Sequence, residues 1–227
     1  MLGWGGAIDC WLAGRPRVFD GEQPPARPRC VLLAGSSGSG KTTLCRVGHA
    51  AMLAAWGHPA AAVDLDSLYG AVDPLWELPY SDERNAMVLD QAVAWVRSLV
   101  QHGWRTVIVT GNSVFDPRDT APVVAALGDM SVHHVTLQVR EDVILARCAA
   151  QPDRDPVALA ADLRPANRLR HPGTVLLESS DLDVDETLHA LVSLVDRGAG
   201  LLGTTGGNPA AADTPQPGDA CGSRRRG

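Results

Sequence analysis

A glycine-rich segment near the start of the chain combines residue types that bind phosphate. The segment VLLAGSSGSGKTTL contains the spacing G-x-x-x-x-G-K-[ST], the Walker A motif or P-loop, met by Gly35, Gly40, Lys41 and Thr42. In such a loop, backbone N–H groups and the positive end of the following helix face a β-phosphate. The motif predicts a nucleotide site formed by Gly35, Ser36, Ser37, Gly38, Ser39, Gly40, Lys41, Thr42 and Thr43.

Two residues of the motif are expected to act on the triphosphate itself. The Lys41 ammonium would lie near the β- and γ-phosphates, and the Thr42 hydroxyl is a hard oxygen ligand for Mg²⁺. An apolar run precedes the motif and a helical pattern follows it, which a chance match in a surface loop would not show. The expected cofactors are ATP and Mg²⁺, since the chain has no N-K-x-D motif for guanine.

Two aspartates, Asp64 and Asp66, follow the second apolar run of the chain. In a parallel sheet this strand end lies close to the P-loop, where carboxylates orient Mg²⁺ or accept the proton of an attacking hydroxyl. The spacing of the two residues is compatible with either carboxylate as the general base. We expect Asp66 to be the base and Asp64 to lie nearer the metal, and the alternative role for both is a helix N-cap or turn.

The third apolar run ends in Thr110-Gly111-Asn112-Ser113, without an acid. P-loop ATPases usually hold Mg²⁺ with an acidic residue at this point. Its absence argues against a motor or an ordinary GTPase.

Arginines after the fourth apolar run are candidates for stabilising the transferred phosphoryl group. Arg154, in the connector QPDRDP, is the first candidate for a mobile flap, and Arg147 is the second. Arg140 belongs to the same group. The alternative is that these arginines lie on a helix surface and pair with Glu141 or Asp142.

An irregular segment after the paired aspartates is a candidate acceptor pocket, because aromatic rings with a few polar groups often line such sites. Its members are Tyr69, Trp76, Glu77, Tyr80 and Arg84, and core packing is an equally good role for Trp76. Trp95 continues an apolar helical stripe and is expected in the core. His133 and His134 are neighbours in a strand, so they face opposite ways and are expected to pack or hydrogen-bond.

Short apolar runs alternating with helical patterns predict a doubly wound α/β domain with a mostly parallel sheet. The strands are expected at Cys30–Ala34, Ala60–Val63, Arg105–Thr110, Val132–Val139 and Thr174–Leu177. The helices are expected from the P-loop to Trp56, at Asp82–Gln101, before Gly128, and at Asp142–Ala150, Asp155–Leu169 and Asp183–Arg197. Ligands of such folds bind at the carboxyl ends of the strands, so the residues just after each strand are the first candidates for the site.

The composition suits one soluble domain with additional segments at both ends. The 227 residues carry a formal net charge of −6, which argues against nucleic acid as the main partner. No apolar run approaches the roughly 18 residues of a membrane span, and no signal peptide is evident. Cys30, Cys45 and Cys148 are expected as buried free thiols, which favours a reducing, cytoplasmic setting.

Taken together, GSSGSGKTT, VDLDSL after the second strand, the missing acid after the third and the arginine-bearing connector resemble the small P-loop kinases. This group includes shikimate, gluconate and adenylate kinases and chloramphenicol phosphotransferase-like enzymes, and LDSL is similar to the VDSL-type segment of antibiotic phosphotransferases. The resemblance implies a P-loop NTPase fold, three-layer α/β/α, with five strands in the order 2-3-1-4-5. It also implies transfer of the ATP γ-phosphate to a small-molecule hydroxyl or phosphate, with the acid of the second strand contacting the acceptor or Mg²⁺.

The resemblance covers roughly residues 30–197. We therefore expect an N-terminal extension at 1–28, a kinase-like domain at 29–197 and a disordered tail at 198–227. The first functional hypothesis is a kinase for a small hydroxylated metabolite, nucleoside or antibiotic. The second is a nucleotide-binding regulatory or accessory ATPase that acts through a protein partner.

Overall fold

The computed structural model describes residues 27–47, 56, 60–74, 81–111, 117–149 and 173–202. Several expectations lie outside these residues: the N-terminal extension up to residue 26, the Asn112–Ser113 turn, the connector with Arg154, the helix expected at 155–169, and the tail from residue 203.

Strands and helices alternate along most of the described chain. The strands are β1 (Arg29–Gly35), β2 (Ala60–Asp64), β3 (Thr106–Thr110), β4 (Ser131–Gln138), β5 (Val175–Glu178) and β6 (Leu201–Leu202). The helices are α1 (Lys41–Val47), α2 (Leu65–Val72), α3 (Asp82–Gln101), α4 (Pro117–Ala126), α5 (Glu141–Ala149) and α6 (Val184–Asp196).

The sheet has the expected strand order, β2-β3-β1-β4-β5, and all four neighbouring pairs along it are parallel. The short strand β6 pairs antiparallel with β4 through Val132 and His133. The segment from residue 198, expected as a disordered tail, therefore contains a short strand within the described residues. This segment carries no long apolar run, and its pairing with β4 depends on tertiary contact.

Helices cover both faces of the sheet. Successive side chains of the central strand β1 point to opposite faces, and both sets are apolar, so both faces must be covered. Cys30, Leu32 and Ala34 point to one face, where they pack with residues of α2, α3 and α4. Val31 and Leu33 point to the other, where they pack with residues of α1 and α6. The described domain is thus a three-layer α/β/α sandwich, and Cys30, Cys45 and Cys148 are buried free thiols within it.

Two local expectations are wrong. The segment after β2, expected as a loop carrying Tyr69, forms helix α2, because Asp64 caps its amino end and Leu65 is fully buried in the core. Trp95, expected in the core, is 49% exposed, since the buried stripe of α3 runs through Val88, Ala92 and Val96 instead.

Other local expectations are confirmed. Helix α3 begins and ends as expected, and its N-cap Ser81 accepts a hydrogen bond from Arg84 N at 3.1 Å. Asp183 and Glu186 form the expected capping box of α6. The paired histidines both hydrogen-bond, His133 with Ala199 O and His134 with Thr174 Oγ1. No helix in the described ranges combines the length and hydropathy of a membrane span.

Candidate active site

The P-loop joins the central strand β1 to helix α1 at the carboxyl edge of the sheet. Ser39 N donates to Ser36 O at 3.1 Å, which closes a turn, and Leu44 N donates to Gly40 O at 2.9 Å as α1 begins. The first N–H groups of a helix have no partner within the helix. The loop therefore presents backbone donors and the positive helix end at one place, as the sequence predicts.

Two glycines shape this loop in different ways. Gly38 and Gly40 have φ values of +80° and +102°, in the region that L-residues rarely adopt. A Cβ on Gly40 would meet no atom within 4 Å, so the backbone there borders open space. A Cβ on Gly38 would lie 3.0 Å from Cys148 Sγ and 3.0 Å from Ile144 Cγ2, so α5 packs directly against the loop.

Two polar groups of the loop suit a bound phosphate. Lys41 is only 7% exposed, and its Nζ donates to Gly35 O at 2.6 Å and to Ser36 O at 3.0 Å. The loop's own carbonyls thus hold the ammonium at the base of the phosphate site. Ser39 Oγ is buried and has no hydrogen-bond partner among the described residues. A phosphate oxygen at this point would satisfy it.

A cavity of about 590 Å³ opens over the P-loop. It is large enough for a nucleotide. The residues that line it come from the P-loop, α1, α2, α5 and the connection from β5 to α6: Ser37, Gly38, Ser39, Gly40, Lys41, Thr42, Thr43, Leu44, Asp66, Arg147, Cys148, Ser179, Leu182, Asp183, Val184 and Thr187. Three predicted catalytic residues, Lys41, Asp66 and Arg147, therefore share one cavity.

The two aspartates after β2 occupy different positions. Asp66 is exposed and lines the cavity. Asp64 is the N-cap of α2, where its Oδ1 accepts a hydrogen bond from Asp66 N at 3.1 Å, and it is not among the lining residues. The N-cap alternative is therefore correct for Asp64, and its expected roles at the metal and in catalysis stay predictions.

The charge of Asp64 nevertheless acts on helix α1. The pKa of the Cys45 thiol is raised to about 12, mainly by burial and in part by the Asp64 carboxylate, while Lys41 opposes the shift. Asp64 is thus close to the helix that carries Thr42.

The described residues suit a magnesium ion that is held mainly through phosphate and water. They contain no group of three or more His, Cys, Asp or Glu side chains placed to bind a metal. Thr42 lines the cavity one residue after Lys41 and offers the hydroxyl ligand. Mg²⁺ commonly keeps several waters and uses one or two protein ligands plus phosphate oxygens. The donor set therefore fits the ion.

The three predicted arginines differ in where they lie. Arg147, on α5, lines the cavity. Arg140, at the start of α5, does not: its guanidinium pairs with Asp181 at 2.8 Å and lies 3.5 Å from Asp142. Arg140 thus precedes the helix and pairs mainly with Asp181, and of the two partners that the alternative names only Asp142 lies near it. Arg154 lies outside the described residues, and its role stays a prediction.

The end of β3 carries a hydroxyl where P-loop ATPases carry an acid. Thr110 pairs in register with Asp64 on one side and Leu33 on the other. It is 1% exposed, and its Oγ1 has no hydrogen-bond partner among the described residues. The last residue of β3 therefore offers a hydroxyl and no carboxylate.

The expected acceptor residues are described only in part. The Tyr69 hydroxyl donates to Asn85 Oδ1, and Arg84 lies 3.7 Å from Asp73 in a mostly buried pair. These contacts join α2 and its C-cap residue Asp73 to the start of α3. Trp76, Glu77 and Tyr80 lie outside the described residues.

The connection from β5 to α6 is the part of the site that sequence reasoning missed. Ser179 is 3% exposed, lines the cavity, and has an Oγ without a hydrogen-bond partner among the described residues. The rule that ligands bind beyond the carboxyl ends of parallel strands applies to β5 as well as to β1 and β2. Applying that rule to the residues after β5 would have found it.

Comparisons with known proteins identify the fold. No protein-family model matches the chain, and no curated protein matches it in sequence. Among solved structures, a gluconokinase from Sinorhizobium meliloti 1021 gives a TM-score of 0.54 at 18% identity, over 76% of this chain and 94% of that chain. The Mycobacterium tuberculosis APS kinase in complex with AMPPNP and APS gives 0.52 at 19%, over 76% and 99%. Shikimate kinase from Bacteroides thetaiotaomicron gives 0.50 at 18%, over 75% and 99%. The chain thus has the fold of small P-loop kinases.

Proposed function

We propose that this protein is an ATP- and Mg²⁺-dependent phosphotransferase that moves the γ-phosphate of ATP to a hydroxyl of a small molecule. The observation that carries the proposal is a single cavity lined by the phosphate loop, Thr42, Asp66 and Arg147. A binding module needs only the first of these elements. A base and an arginine beside the phosphate loop are the additional parts that phosphoryl transfer uses.

The sheet order supports separate sides for the two proposed substrates. The P-loop follows the central strand β1, whereas Asp66 follows β2 at one edge and Ser179 follows β5 at the other. A triphosphate over the P-loop leaves the β5 side for the nucleoside and the β2 side for the acceptor. In the proposed arrangement the γ-phosphate lies toward Asp66.

In the proposed reaction the acceptor oxygen forms a bond to the γ-phosphorus while the bond to the β–γ bridging oxygen breaks, which leaves ADP. Asp66 accepts the hydroxyl proton of the acceptor, because its carboxylate is exposed and the residue lines the cavity, whereas the Asp64 carboxylate caps α2. Lys41 and Arg147 stabilise the negative charge on the phosphoryl oxygens. Mg²⁺ would neutralise phosphate charge and would be held by Thr42, with Asp64 on the β2 side.

The three compared kinases with this fold are named for the small molecules gluconate, APS and shikimate, which supports a small acceptor for this protein. Within the described part of the chain, α2 and the start of α3 border the β2 side. Tyr69 hydrogen-bonds to Asn85, and Arg84 forms an ion pair with Asp73. These contacts would hold the two helices in a fixed position around an acceptor pocket. A hydroxylated metabolite, nucleoside or antibiotic is the proposed acceptor class.

The experiment is a transfer assay with γ-labelled ATP, Mg²⁺ and a panel of sugars, sugar acids, nucleosides and hydroxylated antibiotics. The expected result is a labelled product with one class of acceptor, lost in EDTA and in the Lys41→Ala variant. Hydrolysis of ATP that depends on an added protein fraction, with no labelled small molecule, would contradict the proposal. It would instead support the regulatory ATPase.

A further inference from the structure

The wall of the cavity on the β5 side is a short connection, residues 179–183, between β5 and α6. Three of its residues line the cavity: Ser179, Leu182 and Asp183. Under the proposed function, this wall borders the nucleoside and lies away from the transferred phosphate. The contacts that fix the position of this wall would therefore affect the binding of the nucleoside.

An arginine that does not line the cavity contacts the middle of this connection. The Arg140 guanidinium makes two parallel hydrogen bonds to Asp181, from NH1 to Oδ2 at 2.8 Å and from NH2 to Oδ1 at 3.0 Å. Its backbone N donates to Ser180 Oγ at 2.8 Å, and that hydroxyl donates in turn to Glu178. Bidentate pairs of this kind specify geometry as well as supplying energy.

The same arginine belongs to the opposite wall. Arg140 immediately precedes α5, and its carbonyl accepts the hydrogen bond of Ile144 N at 3.0 Å in the first turn. Helix α5 carries Arg147 and Cys148, which line the cavity, and packs against the P-loop at Gly38. Arg140 thus links the α5 wall to the β5–α6 wall.

The surrounding charges keep Arg140 in this role. Asp181 is its main partner, Asp142 lies 3.5 Å from its Nε, and Glu178 also acts on it electrostatically. The Arg140 guanidinium lowers the pKa of Asp181 by hydrogen bonding and charge, so the pair is ionised at neutral pH. With these carboxylates around it, Arg140 is a positioning residue and not a phosphate ligand.

We propose that the Arg140–Asp181 pair, which we name the clasp, sets the nucleoside wall of the cavity and thereby tunes the affinity for ATP without touching its phosphates. The inference rests on the proposed function in taking ATP as the nucleotide and in placing its nucleoside on the β5 side. It predicts that removing the clasp weakens the binding of a ligand that carries a nucleoside. The binding of a ligand made of phosphate alone should stay unchanged.

The test is isothermal titration calorimetry of the full chain with Mg–ATP and, separately, with Mg–tripolyphosphate. The variants are Arg140→Ala, Asp181→Ala and the double substitution. The matched control is Arg97→Ala, an equally exposed arginine on α3 that lies 3.4 Å from Asp129 and outside the cavity lining. Thermal unfolding of each variant reports whether the fold itself has changed.

Each single clasp variant is expected to weaken ATP binding by about fivefold, the upper end for an exposed ion pair. The double variant should also lose about fivefold, and not the product of the two losses, because both residues act through one interaction. Tripolyphosphate binding should not change, and Arg97→Ala should bind both ligands like the wild type.

Unchanged ATP binding in both single variants would overturn the inference, as would equal losses for ATP and tripolyphosphate or additive losses in the double variant. The failure of the proposed function has a different signature. Wild-type protein that binds neither ligand would refute the nucleotide site and the clasp together. Wild-type protein that binds ATP but transfers no phosphate would refute the phosphotransferase and leave the clasp standing.

Discussion

Replacing Gly38 with alanine tests the packing of α5 against the phosphate loop. Alanine at a φ of +80° costs about 1–2 kcal/mol, and the new Cβ would lie 3.0 Å from Cys148 Sγ and from Ile144 Cγ2, which adds roughly 1–3 kcal/mol of overpacking. The control is Gly40→Ala, where φ is +102° but no atom lies within 4 Å of the new Cβ. That change should cost only the backbone part, about 1–2 kcal/mol.

Equilibrium unfolding in urea measures both losses. Gly38→Ala should lower the unfolding free energy by about 2–5 kcal/mol, and adding Cys148→Ala should recover part of that loss, because it removes the sulfur atom that the new Cβ meets. Gly40→Ala should retain more stability but lose ATP binding, since its methyl group would enter the cavity. Equal destabilisation by the two glycine variants would show that α5 does not press on the loop, and would refute this reasoning.

Three further predictions concern the stability and reactivity of the domain. Burial raises the pKa values of Cys30 and Cys45 to about 12, so in peptide mapping both thiols should resist iodoacetamide at mildly alkaline pH until urea unfolds the chain. Burial, aided by Arg29 and opposed by Ala199 O and Asp196, lowers the pKa of His133 from 6.5, so its neutral form contributes stability above pH 6.5 that declines as the pH falls toward the lower folded value. His133→Gln should reduce this slope of unfolding free energy against pH, and an unchanged slope would contradict the assignment. Asp183 is the N-cap of α6, and its Oδ1 accepts a hydrogen bond from Glu186 N at 2.8 Å. Asp183→Ala should therefore lower the free energy of unfolding in urea by about 1 kcal/mol, whereas Asp185→Ala in the same turn should lower it less.

Features with strong local signals could be read from the sequence. The P-loop residues stand between β1 and α1 as their spacing predicts, because glycine and helix-start chemistry is local. Helix α3 could be placed from its apolar stripe and from the glycine at position 103, which follows its end. The parallel sheet followed from unbroken apolar runs such as the one in β1.

Features that depend on tertiary contact could not be read in this way. Helix α2 was missed because Gly70 and Pro74 are turn-favouring residues, whereas burial of Leu65 and the cap from Asp64 decide the structure there. The partner of Arg140 is Asp181, 41 residues further along the chain, and nothing local to Arg140 distinguishes it from Glu141 or Asp142. Asp64 and Asp66 have the same chemistry in the sequence, and only the fold assigns one to the cap and the other to the cavity.

The most direct test of the proposed function compares Asp66→Asn with Asp64→Asn and wild type in single-turnover phosphate transfer to the identified acceptor. Asp66→Asn should lose about 10²–10⁴-fold in rate, the usual contribution of a general base, with ATP binding by calorimetry unchanged. Asp64→Asn keeps an N-cap side chain, and should bind Mg–ATP more weakly without the same loss at saturating nucleotide. Phosphate transfer by Asp66→Asn at the wild-type rate would contradict the account.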